Sequence, residues 1–588
     1  MTNASSGPVV GRRQFGSMLL GASATLGTAS GLGLWRPAAG ASLIPAVVVN
    51  QVGYRPELPK RALLIGAELI HEAQLVDVNR GTTVAEIVPQ RRPTRTPSGD
   101  PVAVLDFSEH AHPGRYVIRA GQWQSYTFAI ERSVWELPMV LLLRSFYLQR
   151  CGVAVRDNIS GLSHGPCHRD DAYVRHGDAH HTVGERLDLA GGWHDAGDFG
   201  KYVGPTAVTL GRLLTLLEQH GELFTDGQLV IPESGDGRPD VLSEAAVGLD
   251  WLLAMQRPDG AFYRKVAGES WPGMVMPEAD GQRRYAYGPA TSDTAKATAA
   301  LALGARLWRP FDAGRAERYL AAAERGWRHL KTVPEQVVDD RAGDDAGSGR
   351  YLFSEIDDEV TLTHDRDDRA WAAAELYLTT RQDSYEEAFE QLVARMDYGL
   401  FEWKDPSPLG LANYLFASGL GDARGLKERI GGKLIRRANQ LLERVEASSY
   451  GIALDEFKWG SNKMAAEEGI TLALAYRLTQ RSEYLVAAVG QLDYLLGRNH
   501  FNKSFVTGVG ADPVMNMHHR LAVASGRPLP GFLVGGPNDG AQSGIAPKGR
   551  GPLSYADDAG SYATNESAID YNASLLGLIG ELATVRPV

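Results

Sequence analysis

The sequence predicts a mainly α chain in which a small immunoglobulin-like β-sandwich precedes one long helical domain. Three observations predict it. From Ser42 to Glu131, short β-rich runs are divided by Gly, Pro and Asn. After Pro138, apolar residues recur at helical spacing as far as the C-terminus. The 588 residues are also too many for one ordinary core, so the two patterns belong to separate units.

At the N-terminus, "GRRQFGSMLLGASATLGTASGLGLW" sets Arg12 and Arg13 ahead of Phe15 and a weakly apolar, glycine-rich run, with Ala39-Gly40-Ala41 beyond it. This is the pattern of a twin-arginine export signal over residues 1–41, and it predicts a periplasmic or secreted protein. The glycines disfavour the alternative, a membrane anchor. Residues 42–132 contain the sandwich runs "IPAVVVNQVGY", "RALLIGA", "QLVDV", "VAVLDFS", "RYVIRA" and "SYTFAI". Tyr116-Val117-Ile118-Arg119-Ala120 alternates as a half-buried strand does.

Residues 133–588 form the helical domain. In "DVLSEAAVGLDWLLAMQ", Leu242, Ala245, Leu249, Leu252 and Leu253 share one face, Asp240 is placed to cap the helix and Pro258 follows it. "SDTAKATAALALGARLW", "DDRAWAAAELYLTT", "EEGITLALAYRLTQ" and "SAIDYNASLLGLIGELA" read similarly. Their long Gly-, Asp- and Pro-rich connections are where sites are expected. A formal charge of −11 and the lack of a long Lys/Arg run argue against nucleic acid or anionic lipid and favour a neutral substrate. No segment after the signal is apolar for the length of a bilayer, so no membrane partner is expected after signal removal, and the protein is expected to be a monomer.

Two carboxylate clusters stand near opposite ends of the helical domain. In "LAGGWHDAGDFGKYV", a D-A-G-D turn can point Asp195 and Asp198 to one side, where together they could orient a water and accept its proton. Gly197 would permit a tight or left-handed turn, and Trp193 a flat face for a sugar ring. A solvated turn or a cation loop is the plainer alternative. In "SYADDAGSYATNESAIDYNA", Asp557 and Glu566 precede the last helix. Glu566 could simply sit at a helix start, where the dipole would depress its pKa, the wrong direction for a general acid. A neighbouring carboxylate or apolar cover would have to overcome that.

Further motifs lie between the clusters: "NQVGY", "FYLQRCG", "PDVLSEA", "WGSN", "LGRN", "VTGVG", "HHR" and "GGPNDG". With the two clusters, and in this order, they resemble glycoside hydrolase family 9, inverting cellulases that often carry an N-terminal immunoglobulin-like domain. The resemblance runs from about residue 45 to 583. It implies an (α/α)6 barrel with its site in a cleft at one end. Asp198 matches the general base, Asp195 its partner in holding water, and Glu566 the general acid. Asp557 matches a supporting carboxylate, and His518, His519 and Arg520 fall in the cleft segment that binds sugar hydroxyls. Met517 departs from the proline often found before the histidine pair. The implied activity is endo-cleavage of β-1,4-glucan or soluble cello-oligosaccharide; the alternative is an exo-acting enzyme on cello- or glucosamine oligosaccharides. Without a trailing binding module, soluble or amorphous glucan is the expected substrate, and the sandwich is expected to act as a buttress.

The resemblance also implies metals. Cys151, Cys167, His168 and His194 make a tetrahedral zinc set, with a disulfide or free thiols as alternatives. Asp367, Asp368 and Asp405 match a calcium set, although "HDRDDR" also suits a salt-bridged surface or a helix cap.

Overall fold

The computed structural model describes residues 46–66, 70–92, 101–352, 362 and 364–586, so the segment carrying Arg12 and Arg13 lies outside the described residues. The sandwich comes first. One sheet has the order β1 (Ala46–Val48), β3 (Arg61–Ile65), β7 (Val102–Asp106), β6 (Gln90–Arg91). The other has the order β2 (Gly53–Tyr54), β10 (Phe128–Ile130), β8 (Gly114–Ala120), β4 (Ala73–Asp77), β5 (Thr82–Ile87), with β9 (Trp123–Gln124) on β8.

The two sheets differ in how they are buried, and the sequence shows why. In β8 the buried Val117 and Ile118 are flanked by the exposed Arg115 and Arg119. In β3 and β7 the runs "ALLI" and "VAVL" are apolar throughout, because that sheet is covered on both faces. Ala62, Leu64, Ala103 and Leu105 pack into the sandwich core, whereas Leu63, Ile65, Val102 and Val104 belong to the core of the helical domain. Polar contacts fix the same junction. Asn50 Nδ2 donates to Asp493 Oδ1 at 3.0 Å, and Gln51 Oε1 accepts the Ala511 and Asp512 N–H groups at 3.0 and 2.8 Å. The "NQVGY" motif thus grips the segment that leads to His518.

The helical domain is an (α/α)6 barrel. Its inner helices are Val203–Gln219, Thr291–Trp308, Arg366–Thr380, Ser407–Phe416, Ser461–Thr479 and Ile569–Ala583. Its outer helices are Glu136–Leu148, Asp240–Ala254, Ala313–Thr332, Asp383–Val393, Leu426–Ala447 and Ser482–Leu495. Inner helices such as Thr291–Trp308 are buried nearly all round, and Ala, Gly and Thr let their neighbours approach closely. Outer helices such as Leu426–Ala447 bury a single stripe, here Ile430, Leu434, Ala438, Leu441 and Val445. No described helix is long and apolar enough to cross a membrane.

The connections build a small sheet in which Lys201–Tyr202, Tyr263–Gly268, Arg284–Pro289 and Tyr173–Val174 pair in that order. Behind it Asp171 forms an ion pair with Lys201 Nζ at 2.9 Å and accepts from Arg284 Nε at 2.8 Å, and Arg284 Nη1 donates to Phe199 O at 2.7 Å. A buried, paired charge group of this kind braces the backbone of the loop that carries Asp195 and Asp198, since losing one partner would strand the others.

Candidate active site

A cleft of about 680 Å³ at one end of the barrel is lined by Asp195, Asp198, Tyr202, His518, Arg520 and Glu566, with a wall of aromatic side chains. Loops far apart in sequence meet there. Gly197 explains why they meet so closely. Its backbone is not left-handed, contrary to one expectation. A Cβ at Gly197 would instead stand 2.5 Å from His518 O and 2.9 Å from Glu566 Oε1, so only glycine leaves room for the second loop.

Glu566 is not a helix cap. It is extended (φ −81°, ψ 144°), and the last helix begins only at Ile569, with Asp570 in its first turn. Its backbone forms a parallel bridge with His518, and its carbonyl accepts the Gly535 N–H at 2.7 Å. The carboxyl reaches Asp198's loop, where Oε1 accepts the Gly197 N–H at 3.1 Å. Burial, and then the charge of Asp198, push the Glu566 pKa up to about 8, against the opposing pull of Arg520 and the Gly197 N–H. The carboxyl therefore keeps a proton at neutral pH.

On the facing side, Tyr202 Oη donates to Asp198 Oδ2 at 3.0 Å. Asp195 Oδ1 and Asp198 Oδ1 are buried without a protein hydrogen-bond partner. Asp195 is pushed well above the usual carboxylate range by burial, then by Asp570, Asp198 and Glu566, while Lys463, 3.1 Å from Asp570, draws it back. Acceptor atoms left open beside one another suit a bound, polarised water.

The other expected site residues divide. His518 lines the cleft. Its Nδ1 donates to Ala559 O at 2.6 Å, which leaves Nε2 to meet a ligand. Arg520 lines the cleft while donating to Gly197 O at 2.9 Å and Pro272 O at 2.8 Å. His519 points the other way. It is buried against Phe532 with Nε2 at 3.2 Å from Gln149 Oε1, so it belongs to the core and not to a sugar site. Trp193 is likewise no stacking platform: it is fully buried, its indole N–H donates to Glu244 Oε1 at 2.9 Å, and it packs on Phe146.

Asp557 does not shift Glu566, whose pKa is raised by burial and Asp198. It accepts the Met515 and Asn516 N–H groups, at 3.1 and 2.8 Å, and so shapes the turn before His518.

The aromatic wall is built from residues to which no motif assigns a role. It includes Trp271, Trp403, Trp459 and Tyr562. Trp459 stood inside the quoted "WGSN"; Trp271 stands half exposed in the Pro/Gly-rich run "SWPG". An isolated tryptophan in a polar loop was the available signal.

Beside the cleft, ligand atoms of Cys151, Cys167, His168 and His194 all lie within 4.8 Å of one another. Both cysteines are free and buried, which rules against the disulfide alternative here. His194 Nε2 is 3.3 Å from His168 Nδ1, and each sulfur is 3.8 Å from one imidazole nitrogen. Bonds of about 2.0–2.3 Å at tetrahedral angles place ligand atoms about 3.3–3.8 Å apart, so the set fits zinc. Asp280 Oδ2 accepts from His168 Nε2 at 3.3 Å, which turns the Nδ1 lone pair toward the centre.

Asp367, Asp368 and Asp405 do not form such a cluster among the described residues. Lys296 Nζ sits 2.7 Å from Asp368, His364 Nδ1 is 3.2 Å from Asp367, and Asp405 accepts from Ser407 Oγ at 2.6 Å.

Comparison with known proteins agrees with this geometry. The pattern of glycosyl hydrolase family 9 matches residues 139–579, and that of a cellulase N-terminal ig-like domain matches residues 44–125. Endoglucanase D of Acetivibrio thermocellus is 33% identical over 81% of this chain and 74% of its own. A xyloglucan-specific endo-beta-1,4-glucanase of Bacteroides ovatus is 31% identical over 92% of this chain and 94% of its own. Among solved structures, a metagenome-derived glycoside hydrolase family 9 endoglucanase superposes with a TM-score of 0.86 at 43% identity, covering 92% of this chain and 99% of that one. A Zn-binding triple mutant of family 9 endoglucanase J30 gives 0.85 at 35%, covering 90% and 100%.

Proposed function

The chain belongs to glycosyl hydrolase family 9, and on that premise we propose that it hydrolyses internal β-1,4-glucosidic bonds of a soluble or amorphous glucan with inversion. Asp198, held by Tyr202, takes a proton from the attacking water, and Asp195 steadies that water from the other side. Glu566 gives its proton to the leaving glycosidic oxygen. Inversion requires the acid and base to flank the bond with room for water on the opposite face, about 6.5–9.5 Å apart. The observation that carries the reading is the environment of Glu566: a buried carboxyl raised to about 8, facing two carboxyls with unpartnered oxygens. His518 Nε2 and Arg520 supply contacts to sugar hydroxyls, and the aromatic wall supplies stacking faces. The endo-acting reading is favoured over the exo-acting one because two endoglucanases, 33% and 32% identical, are more similar to this chain than a cellulose 1,4-beta-cellobiosidase at 27%. Proton NMR of the first products from a cello-oligosaccharide tests the stereochemistry. The α-anomer is expected at early times, and an initial β-anomer would refute the assignment.

Zinc at Cys151, Cys167, His168 and His194 is the metal reading that the donor set supports. With four protein ligands it would supply no open coordination position, so its contribution is to tie the end of the first helix to the catalytic loop. For Asp367, Asp368 and Asp405, the Lys296 ammonium already supplies a positive charge, which supports an ion-paired clasp between inner helices over calcium. Export by the twin-arginine route is consistent with a metal centre filled before translocation.

A further inference from the structure

The strands Tyr263–Gly268 and Arg284–Pro289 are joined by residues 269–283, a long connection whose only helical turn is Pro277–Ala279. Most of its side chains are exposed, and it has little core of its own. It nevertheless carries Trp271, 50% exposed, into the wall of the cleft. A loop of this length holds one conformation only where side chains tether it.

Its tethers form a continuous line. At the tip, Arg520 Nε donates to Pro272 O at 2.8 Å, its guanidinium stands 5.8 Å from the centre of the Trp271 ring, and Nη1 reaches Gly197 O. At the base, Gln282 Oε1 accepts from Ser270 N at 3.3 Å and from Ser270 Oγ at 3.0 Å, immediately before Trp271. The other end of the same amide, Nε2, donates to Asp280 Oδ2 at 3.4 Å. That oxygen also accepts from His168 Nε2. The Ser270 N–H and the Asp280 carboxylate orient the Gln282 amide, whereas the His168 imidazole at the far end can carry its proton on either ring nitrogen. Glu278 Oε1 adds a parallel strut by accepting the Gly165 N–H at 3.3 Å.

We propose that Asp280 and Gln282 are positioning residues that couple the Cys/His centre to Trp271, so that filling the centre tightens binding of the glucan over Trp271 by a route separate from the loop that carries Asp195 and Asp198. This rests on the zinc and glucan readings above. With a metal held by the centre, His168 would keep its proton on Nε2 and its ring in one orientation, which would fix Asp280 and, through Gln282, the backbone at Ser270. Neither Asp280 nor Gln282 lines the cleft, so their loss removes binding common to ground and transition states.

The test uses the full-length, metal-replete protein. In Gln282→Leu, KM for a soluble glucan is expected to rise about fivefold with kcat within about twofold of wild type, while zinc content stays at the wild-type value. In a Glu566→Gln background, which binds without turnover, chelation of zinc is expected to weaken cello-oligosaccharide binding by a similar factor, and to have no further effect once Gln282→Leu is added. An unchanged KM in zinc-loaded Gln282→Leu overturns the coupling. So does a chelation effect of equal size with and without Gln282. Purified protein without zinc would overturn the metal assignment itself, a separate result read from elemental analysis alone.

Discussion

Neighbouring residues of one loop enter two sites of opposite character. His194 turns into a closed polar cluster whose members face one another, and the groups behind it are hydrogen-bonded as far as Asp280 and Gln282. Asp195, the next residue, turns into the cleft, where burial and three other carboxyls push it toward its protonated form. The closed site is arranged for stability. The open one holds groups in states that water would not tolerate, and it persists because Lys201, Arg284 and the Cys/His centre fix the backbone around it. Chemical strain in the cleft is thus carried by paired structure one residue away.

The sharpest way to break that division is to remove the open groups. Glu566→Gln and Asp198→Asn are each expected to lower kcat by about a thousandfold or more while leaving thermal stability equal or higher, since each removes a buried carboxyl. A variant that unfolds easily would place the residue on the structural side. pH gives the next largest effect. With Glu566 as the proposed acid, the active form is the one protonated there, present below a pKa pushed up to about 8 and lost above it, so kcat should fall by about tenfold per pH unit beyond that point. A flat profile to pH 10 would remove Glu566 as the acid.

Cys151→Ser tests the closed site. It should abolish zinc binding and lower the melting temperature by about 5–10 °C, with much smaller losses in kcat per folded molecule than the carboxyl variants. The smallest expected effect separates core from cleft at Trp193. Trp193→Phe removes one of two hydrogen bonds to Glu244 Oε1, which keeps Arg150 Nε, and trims a buried ring; it should cost about 1–3 kcal/mol in denaturant unfolding, with KM unchanged. A raised KM would return Trp193 to the sugar site.

The pair His518–His519 shows what could be read in advance. The sequence places two imidazoles next to the cleft segment, but at His519 the backbone is extended (φ −158°, ψ 123°), so successive side chains leave on opposite faces. One meets the cleft and the other the core, and nothing in "HHR" states which. Gly197 is similar. Its presence in D-A-G-D was legible, but its reason, a carbonyl 2.5 Å from where a Cβ would stand, belongs to a loop more than three hundred residues away. Trp271 escaped because a lone tryptophan in a polar loop has no periodicity to mark it.

Local pattern alone determined the strand-rich start and the helical remainder, because hydrophobic period is written residue by residue; the barrel and the expected roles of the carboxyl and Cys/His groups came from the resemblance of the ordered motifs to family 9. Only the tertiary structure decided which side of each loop faces the cleft, which carboxyl keeps its proton and which cation sits on Asp368. Those outcomes depend on burial and on charges from distant segments, and neither quantity exists until the chain has folded.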